Sequence, residues 1–522
     1  MNLIKNALGR WVPDEIPGFG KLSPYESPDA RLNGTYTFTA QSPIHRVVSF
    51  GRQKITRNIR EAIERSGLKS GMTISFHHHL RNGDAVLPFI LKEIAAMGIR
   101  DLTLASSSLT GAHDCVADYI RSGVITGLYS SGVRGAVGQA VSRGELAKPL
   151  IIHSHGGRAR LMKEGKLRVD VAFLGAPACD HDGNFLGSEG PSACGSLGYA
   201  LSDAQYAAHV VAVTDNLVSD SLEARASVNA CQVDQILVVD SLGDPNKIAS
   251  GTVRFTRDPL QQRMAELAFG VMKASGLVAP GYSYQAGAGG ASLAVTAYLE
   301  SYAKTNNIRG SFALGGVSGH TINMLKENLF ERVLDVQSFD AAVAQSLSTD
   351  PRHIEISAAR YADPFCTSCA VNQLDIVALA ALDVDVDFNV DVMTGLDGVL
   401  RGASGGHSDT AYGAKLAMVL VPTQRSRVPA IREKVQTVVT PGSTVDCIVT
   451  ERGVCINPNR SDLEHACRKA GLPVRNIHDL RHEVLAETGT PDDVKFSDKI
   501  VGVVEYRDGT VIDTLHSVET NN

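Results

Sequence analysis

Two polar loops in the first half of the chain carry the residue types of an anion site. His77-His78-His79-Leu80-Arg81-Asn82-Gly83-Asp84 follows the short apolar run Met72 to Phe76. Its imidazoles and the Arg81 guanidinium are donors suited to carboxylates. Successive side chains of an extended segment alternate faces, so the three histidines do not converge on one metal. No helical H-E-x-x-H supports a metal elsewhere. His153-Ser154-His155-Gly156-Gly157-Arg158-Ala159-Arg160 follows a second apolar run, and its glycine pair lets backbone N–H groups face an anion between cationic side chains. The plainer readings are a solvated loop with His78 turned to the core, and a strand-to-helix turn with exposed arginines.

Three glycine-rich loops lie in the second half: Gln285 to Ala291, with Gly287, Gly289 and Gly290; Gly315-Gly316 to Thr321; and Thr394-Gly395 to His407, with Gly405 and Gly406. As a set they could line a slot for the long arm of a cofactor. None has Rossmann or P-loop spacing, so simple dinucleotide or nucleoside triphosphate binding is unsupported. Glu189, in Gly-Ser-Glu-Gly, could act as a carboxylate nucleophile, although such loop glutamates are more often merely exposed. Cys366-Thr367-Ser368-Cys369 lacks the second ligand pair of a structural zinc site. No metal site is predicted.

The elements that must hold these loops come in duplicate. Asp170 to Asn184 aligns without gaps on Asp375 to Asn389, with six of fifteen positions identical, including Asp170/Asp375, Asp180/Asp385 and Asn184/Asn389. Ser202 to Val213 matches Ser408 to Val419, and Gly98 to Arg100 matches Asn307 to Arg309, in the same order and at offsets of 205 to 209. Each half alternates short apolar runs with helical spacing, the pattern of parallel sheets flanked by helices. Ligands of such sheets bind at the carboxyl ends of the strands. The sequence thus predicts two homologous open α/β domains with largely parallel sheets and a site between them. The expected division is an irregular proline-bearing arm over 1–45, a first domain over 46–277, and a second over 278–522 that includes the C-terminal tail.

Composition narrows the function. The 522 residues are 43% hydrophobic and 20% charged, an ordinary globular balance. The net charge of −6 offers no basic stripe for nucleic acid. No apolar run reaches the roughly 18 residues of a membrane span, and nine unevenly spaced cysteines suit a reducing cytosol rather than a disulfide framework.

The duplicated Asp170 and Asp375 segments, the run Gly405 to Pro422 and the run Asp446 to Pro458 resemble two-domain CoA transferases over about residues 45 to 500. The Arg10 to Gly18 arm, the FHHHLRNGD loop and the LRGASGGHSDT stretch resemble more closely the citrate lyase α-subunit family. That resemblance implies a citrate:acetyl-[acyl carrier protein] transferase in a hetero-oligomer with an acyl carrier (γ) subunit and a citryl-carrier lyase (β) subunit, the metal requirement belonging to the β subunit. The carrier would bear a phosphoribosyl-dephospho-CoA prosthetic group, for which CoA or dephospho-CoA thioesters can stand in; this chain would hold no covalent cofactor. Acetyl carrier and citrate would give citryl carrier and acetate. Many CoA transferases place a nucleophilic glutamate in a Gly-x-His-Thr-Glu context; Gly319-His320-Thr321-Ile322 puts Ile322 there, which points to direct attack by a citrate carboxylate. His77 to Asn82 and His153 to Arg158 are then candidates for the citrate carboxylates, the glycine loops for the prosthetic arm, and His320 for a donor to the thioester oxygen. Rival readings are a conventional CoA transferase working through Glu189, and a non-catalytic metabolite-binding protein.

Overall fold

The computed structural model describes residues 2–16, 19–31, 51–249, 256–287 and 290–519. The first half supplies β1 (Ile55–Thr56), β2 (Thr73–Phe76), β3 (Leu102–Ser106), β4 (Ile125–Ser130), β5 (Leu150–Ile152), β6 (Val171–Gly175), β7 (His209–Thr214) and β8 (Gln235–Val238). The second supplies β9 (Ser283–Ala286), β10 (Gly310–Val317), β11 (Phe330–Ser338), β12 (His353–Glu355), β13 (Ile376–Ala380), β14 (Leu416–Leu420), β15 (Cys447–Thr450) and β16 (Gly453–Ile456). A hairpin of β17 (Phe496–Glu505) and β18 (Val511–Val518) ends the described chain.

The first sheet runs β18-β17-β5-β4-β3-β2-β6-β7-β8-β1 and the second β12-β11-β10-β9-β13-β14-β15-β16. The stretches β5-β4-β3-β2-β6-β7-β8 and β12-β11-β10-β9-β13-β14-β15 have the same topology, which gives the sequence repeat its physical meaning. Strands β6 and β14 are buried at every position, as parallel strands covered on both faces must be. The repeated aspartates do equivalent work. Asp170 accepts the Thr73 N–H at 2.7 Å and Asp375 accepts the Ser283 N–H at 2.8 Å, each registering a central strand of its sheet. Asn184 donates to Asp180 at 2.9 Å and Asn389 to Asp385 at 3.1 Å, closing the same turn in each half.

The C-terminal tail departs from the expected division. Strand β17 pairs in parallel with β5 through Gly502, Val503 and Val504, so the hairpin extends the first sheet rather than the second. Buried ion pairs fix it: Arg160 Nη2 to Glu505 Oε2 at 2.7 Å, and Arg507 Nε to Asp409 Oδ1 at 3.5 Å. The described part of the N-terminal arm is short strand pairs laid against this hairpin, with Asn6 donating to the Ile512 carbonyl at 2.8 Å. Residues 32–45 of the arm lie outside the described residues. No helix among the described residues is long and apolar enough to cross a membrane.

Candidate functional site

A cleft of about 380 Å³ opens where the carboxyl ends of the strands of the two sheets meet. The first half contributes His78, Arg81 and Asn82 after β2, Ser131 and Arg134 after β4, His155 after β5, and Tyr199. The second contributes Gln285 and Gly287, Gly316, Gln337 and Phe339, Tyr361, and the loop Ala403 to His407. Contacts between the halves set its width. The His155 N–H donates to the Gly405 carbonyl at 2.8 Å, and the Ser404 hydroxyl donates to the His153 carbonyl at 2.7 Å.

The two cleft histidines are held in different ways. Ser107 Oγ accepts the His78 N–H at 3.1 Å and lies 2.6 Å from Nδ1, so its hydroxyl donates to that ring nitrogen. The proton then sits on Nε2, 3.0 Å from Gln337 Oε1. Both nitrogens of His78 are occupied, and burial holds its pKa well below the usual value. Its ring stacks on Tyr199, centroids 5.0 Å apart. His155 Nδ1 lies 2.6 Å from the Tyr199 hydroxyl. Burial raises the Tyr199 pKa well above normal and lowers that of His155 to about 3, so the tyrosine donates and a neutral His155 carries its proton on Nε2.

Arg81 has φ 54°, left-handed backbone that a non-glycine residue adopts at a cost of order 1–3 kcal/mol and that concentrates at functional sites. Its guanidinium lies 4.7 Å from the Phe339 ring centroid. Among the described residues neither Arg81 nor Arg134 forms an ion pair. All 56 aspartates and glutamates fall within the described segments, and none lines the cleft. Two cationic groups, a neutral donor and several hydroxyl and amide groups face a space without carboxylates. That chemistry suits an anion carrying several carboxylates.

Of the residues singled out in sequence, the cleft gathers His78, Arg81, Asn82, His155, Gly287, Gly316, Gly405 and Gly406. His77 and Arg158 are buried behind it, both against Asp203, at 2.9 and 3.0 Å. His79 is buried with Nε2 3.1 Å from the Gly175 carbonyl, and His153 is buried with Nδ1 3.0 Å from the Ser154 carbonyl. These four do not reach the cleft because each is packed into the scaffold. Glu189 pairs with Arg225 in a partly exposed loop, and His320 lies 3.0 Å from Glu300 of the helix Gly290–Asn306; neither lines the cleft. Gly315 packs against the Gln285 amide, and a Cβ on Gly290 would meet Gln261. Thr394 is bonded to Asp391 and Gly395 packs on Arg401, away from the cleft. Gly289 lies outside the described residues. Ile322 is buried in the apolar core, so a carboxylate at that position would not face the cleft. Cys366 and Cys369 are free thiols, and no group of three or more metal-ligating side chains occurs among the described residues.

Sequence reasoning missed Arg134, Tyr199, Gln337, Phe339 and Tyr361, whereas His407 ends the third glycine-rich loop. Gln337 and Phe339 follow the apolar run of β11, where a strand-end rule finds them; Tyr199 and Tyr361 have no local signal.

The family model for the citrate lyase alpha subunit (CitF) matches residues 52–518. The chain belongs to the citrate lyase alpha subunit family. The citrate lyase alpha chain of Klebsiella pneumoniae is 48% identical over 93% of this chain and 95% of that one. A Streptococcus mutans structure, described as the alpha subunit of citrate lyase in complex with citrate, is 44% identical with a TM-score of 0.94, over 99% of this chain and 100% of that one. A malonate decarboxylase alpha subunit from Acinetobacter baumannii, 18% identical over 84% of this chain and 90% of that one, shares the fold at a TM-score of 0.61.

Proposed function

We propose that the cleft holds citrate and the acetyl thioester of an acyl carrier subunit together and exchanges the acyl group between them directly. The observation that carries this reading is a cleft with two unpaired arginines and no acidic side chain. A citrate carboxylate attacks the acetyl carbonyl, and the carbon–sulfur bond breaks to release the carrier thiolate and leave a mixed anhydride. The thiolate then attacks the citryl carbonyl of that anhydride and expels acetate. No enzyme carboxylate takes part, so catalysis rests on holding both acyl groups at once.

Arg81, Arg134 and Asn82 bind citrate carboxylates, and the neutral His155 donates from Nε2 to the developing oxyanion. Losing one such donor costs about 3 kcal/mol. His155→Ala is therefore expected to lower the exchange kcat roughly 100-fold, with citrate affinity in calorimetry changed less than about threefold. A recess of about 20 Å³, lined by Leu293, Ala313, Leu314, Val317, Met324 and Phe330, opens beside the cleft past Gly287, Gly316 and Phe339. It is little more than the roughly 10–15 Å³ that one water-sized group needs, and it receives the acetyl methyl. A propionyl thioester is expected to show a kcat/KM about 10- to 200-fold lower than acetyl, the range of one misplaced methylene; equal use of both would remove this assignment. The prosthetic arm of the carrier passes Gly405 and Gly406, the β subunit cleaves the citryl carrier produced, and the complex works in the cytoplasm.

The test is acyl exchange by the purified chain with acetyl-dephospho-CoA and labelled citrate. Citryl thioester and acetate are expected to form in equal amounts. Glu189→Gln is expected to keep the wild-type rate within about twofold, because its partner Arg225 is itself exposed and such pairs contribute about 0–1 kcal/mol. Loss of exchange in that variant, with trappable acyl-enzyme in the wild type, would favour the glutamyl route.

A further inference from the structure

The sequence repeat aligns Ser202-Asp203 with Ser408-Asp409. Their helices, Ala200–Tyr206 and His407–Gly413, precede β7 and β14, the same place in each half. Both carboxylates are fully buried, and both face a buried arginine: Arg158 Nη2 at 3.0 Å from Asp203 Oδ1, and Arg507 Nε at 3.5 Å from Asp409 Oδ1. Each directs its remaining contacts to a cleft loop of the first half or to the strand end that carries it. Asp203 Oδ2 accepts the Ser75 hydroxyl and lies 2.9 Å from His77 Nε2, next to His78 and at the base of the loop that carries Arg81. Asp409 accepts the Ser154 hydroxyl at 2.9 Å and the Gly156 N–H at 3.0 Å, on either side of His155.

We propose that Asp203 and Asp409 are twin positioning residues inherited through the duplication, Asp203 aiming the loop of Arg81 and Asp409 aiming the loop of His155. A buried ion pair adds little net stability over well-packed apolar side chains of the same volume. What the carboxylate adds is direction, which apolar packing does not: the two oxygens of Asp409 fix two donors of one loop, and Oδ2 of Asp203 meets Ser75 near the end of β2 and His77 at the start of the loop that follows. Asp409 also joins separate parts of the fold, because it sits in the second half, holds a loop of the first, and meets Arg507 of the C-terminal hairpin. Gly156 lets another segment of the second half pack on the same loop, since a Cβ there would stand 2.0 Å from the Ala362 carbonyl oxygen. The electrostatics of the twins differ. Burial alone would raise the Asp203 pKa, but Arg158 and His77 outweigh it and hold the group at about 2, whereas at Asp409 burial prevails over Arg507 and the two loop donors.

The proposal rests on the acyl-transfer reading above and is tested by two double-mutant cycles on the full chain. Asp409→Asn keeps the volume but turns a donor toward Ser154, Gly156 or Arg507. It is expected to lower the exchange kcat about tenfold in the wild type and less than twofold in a His155→Ala background. Asp203→Asn is expected to raise the citrate Kd in calorimetry about tenfold in the wild type and not further in an Arg81→Ala background. Equal factors in both backgrounds, or no effect in the wild type, would overturn the proposal, since a merely structural role acts alike in each. Should either asparagine variant fail to fold, Ser154→Ala and Ser75→Ala run the same cycles. If His155→Ala alone leaves exchange intact, the role given to that histidine is what fails. The crystal structure of Asp409→Asn then decides the positioning claim: a displaced His155 ring supports it, and an unmoved one overturns it.

Discussion

Arg81→Ala is expected to weaken citrate binding by about 10- to 150-fold, the worth of a charge-assisted hydrogen bond of about 1.5–3 kcal/mol. The guanidinium has no carboxylate partner among the described residues and is braced on the Phe339 ring. It is therefore held in place for a ligand without being neutralised by the protein. The backbone at φ 54° supplies the same kind of constraint, since a strained loop persists only where its surroundings hold it. Arg81→Lys is expected to recover only part of the affinity, because an ammonium cannot present the planar fork that matches a carboxylate. Isothermal calorimetry with citrate checks both variants. An Arg81→Ala protein that binds citrate as the wild type does would move the citrate site elsewhere in the cleft.

The second large effect concerns stability. Arg160 is fully buried and joins Glu164 and Glu505, both at 2.7 Å, so it ties the helix His155–Lys163 to the C-terminal hairpin. Arg160→Met strands the Glu505 carboxylate, while Glu164 keeps Lys166 at 3.4 Å, and breaking a buried pair from one side costs about 3–5 kcal/mol. Burial already raises the Glu505 pKa, outweighing Arg160. Its folded form therefore binds a proton more tightly than the unfolded chain does. Stability then falls as pH rises above the unfolded carboxylate value of about 4.3, and the loss steepens once Arg160 is gone. The deficit of the variant is expected to be largest near neutral pH and to shrink toward pH about 4.3. Denaturant unfolding at several pH values measures it. A deficit under about 1 kcal/mol at neutral pH would mean that the hairpin does not depend on this pair.

The architecture was readable in the sequence where a residue makes a local, repeated contact. Asp170 and Asp375 each bond the amide of a neighbouring strand, and Asp180 and Asp385 each close a turn on an asparagine four residues on. Their spacing therefore survives in both halves. Strand β4 carries Gly127 and ends on Tyr129 and Ser130, and β9 reads Ser-Tyr-Gln-Ala, so neither shows the apolar run that marked the others. The pairing of β17 with β5 joins segments far apart in the chain and leaves no periodic trace, and for that reason the sequence places the final hairpin with the second domain, although it extends the first sheet. The polar loops after β2 and β5 both reach the cleft. Which of their side chains enter the cleft depends on partners distant in sequence: Asp203 draws His77 and Arg158 inward, while Gln337 and Tyr199 leave His78 and His155 at the surface of the cleft.

The central claim is that a citrate carboxylate, and no carboxylate of the protein, attacks the acetyl group. A single turnover with citrate labelled with oxygen-18 in its carboxylates, followed by mass spectrometry of the acetate released, tests it directly. In direct transfer the bridging oxygen of the mixed anhydride comes from citrate and leaves with acetate, so the first acetate formed carries one labelled oxygen. Unlabelled first-turnover acetate, with the label recovered in a glutamate or aspartate of the chain, would contradict the account.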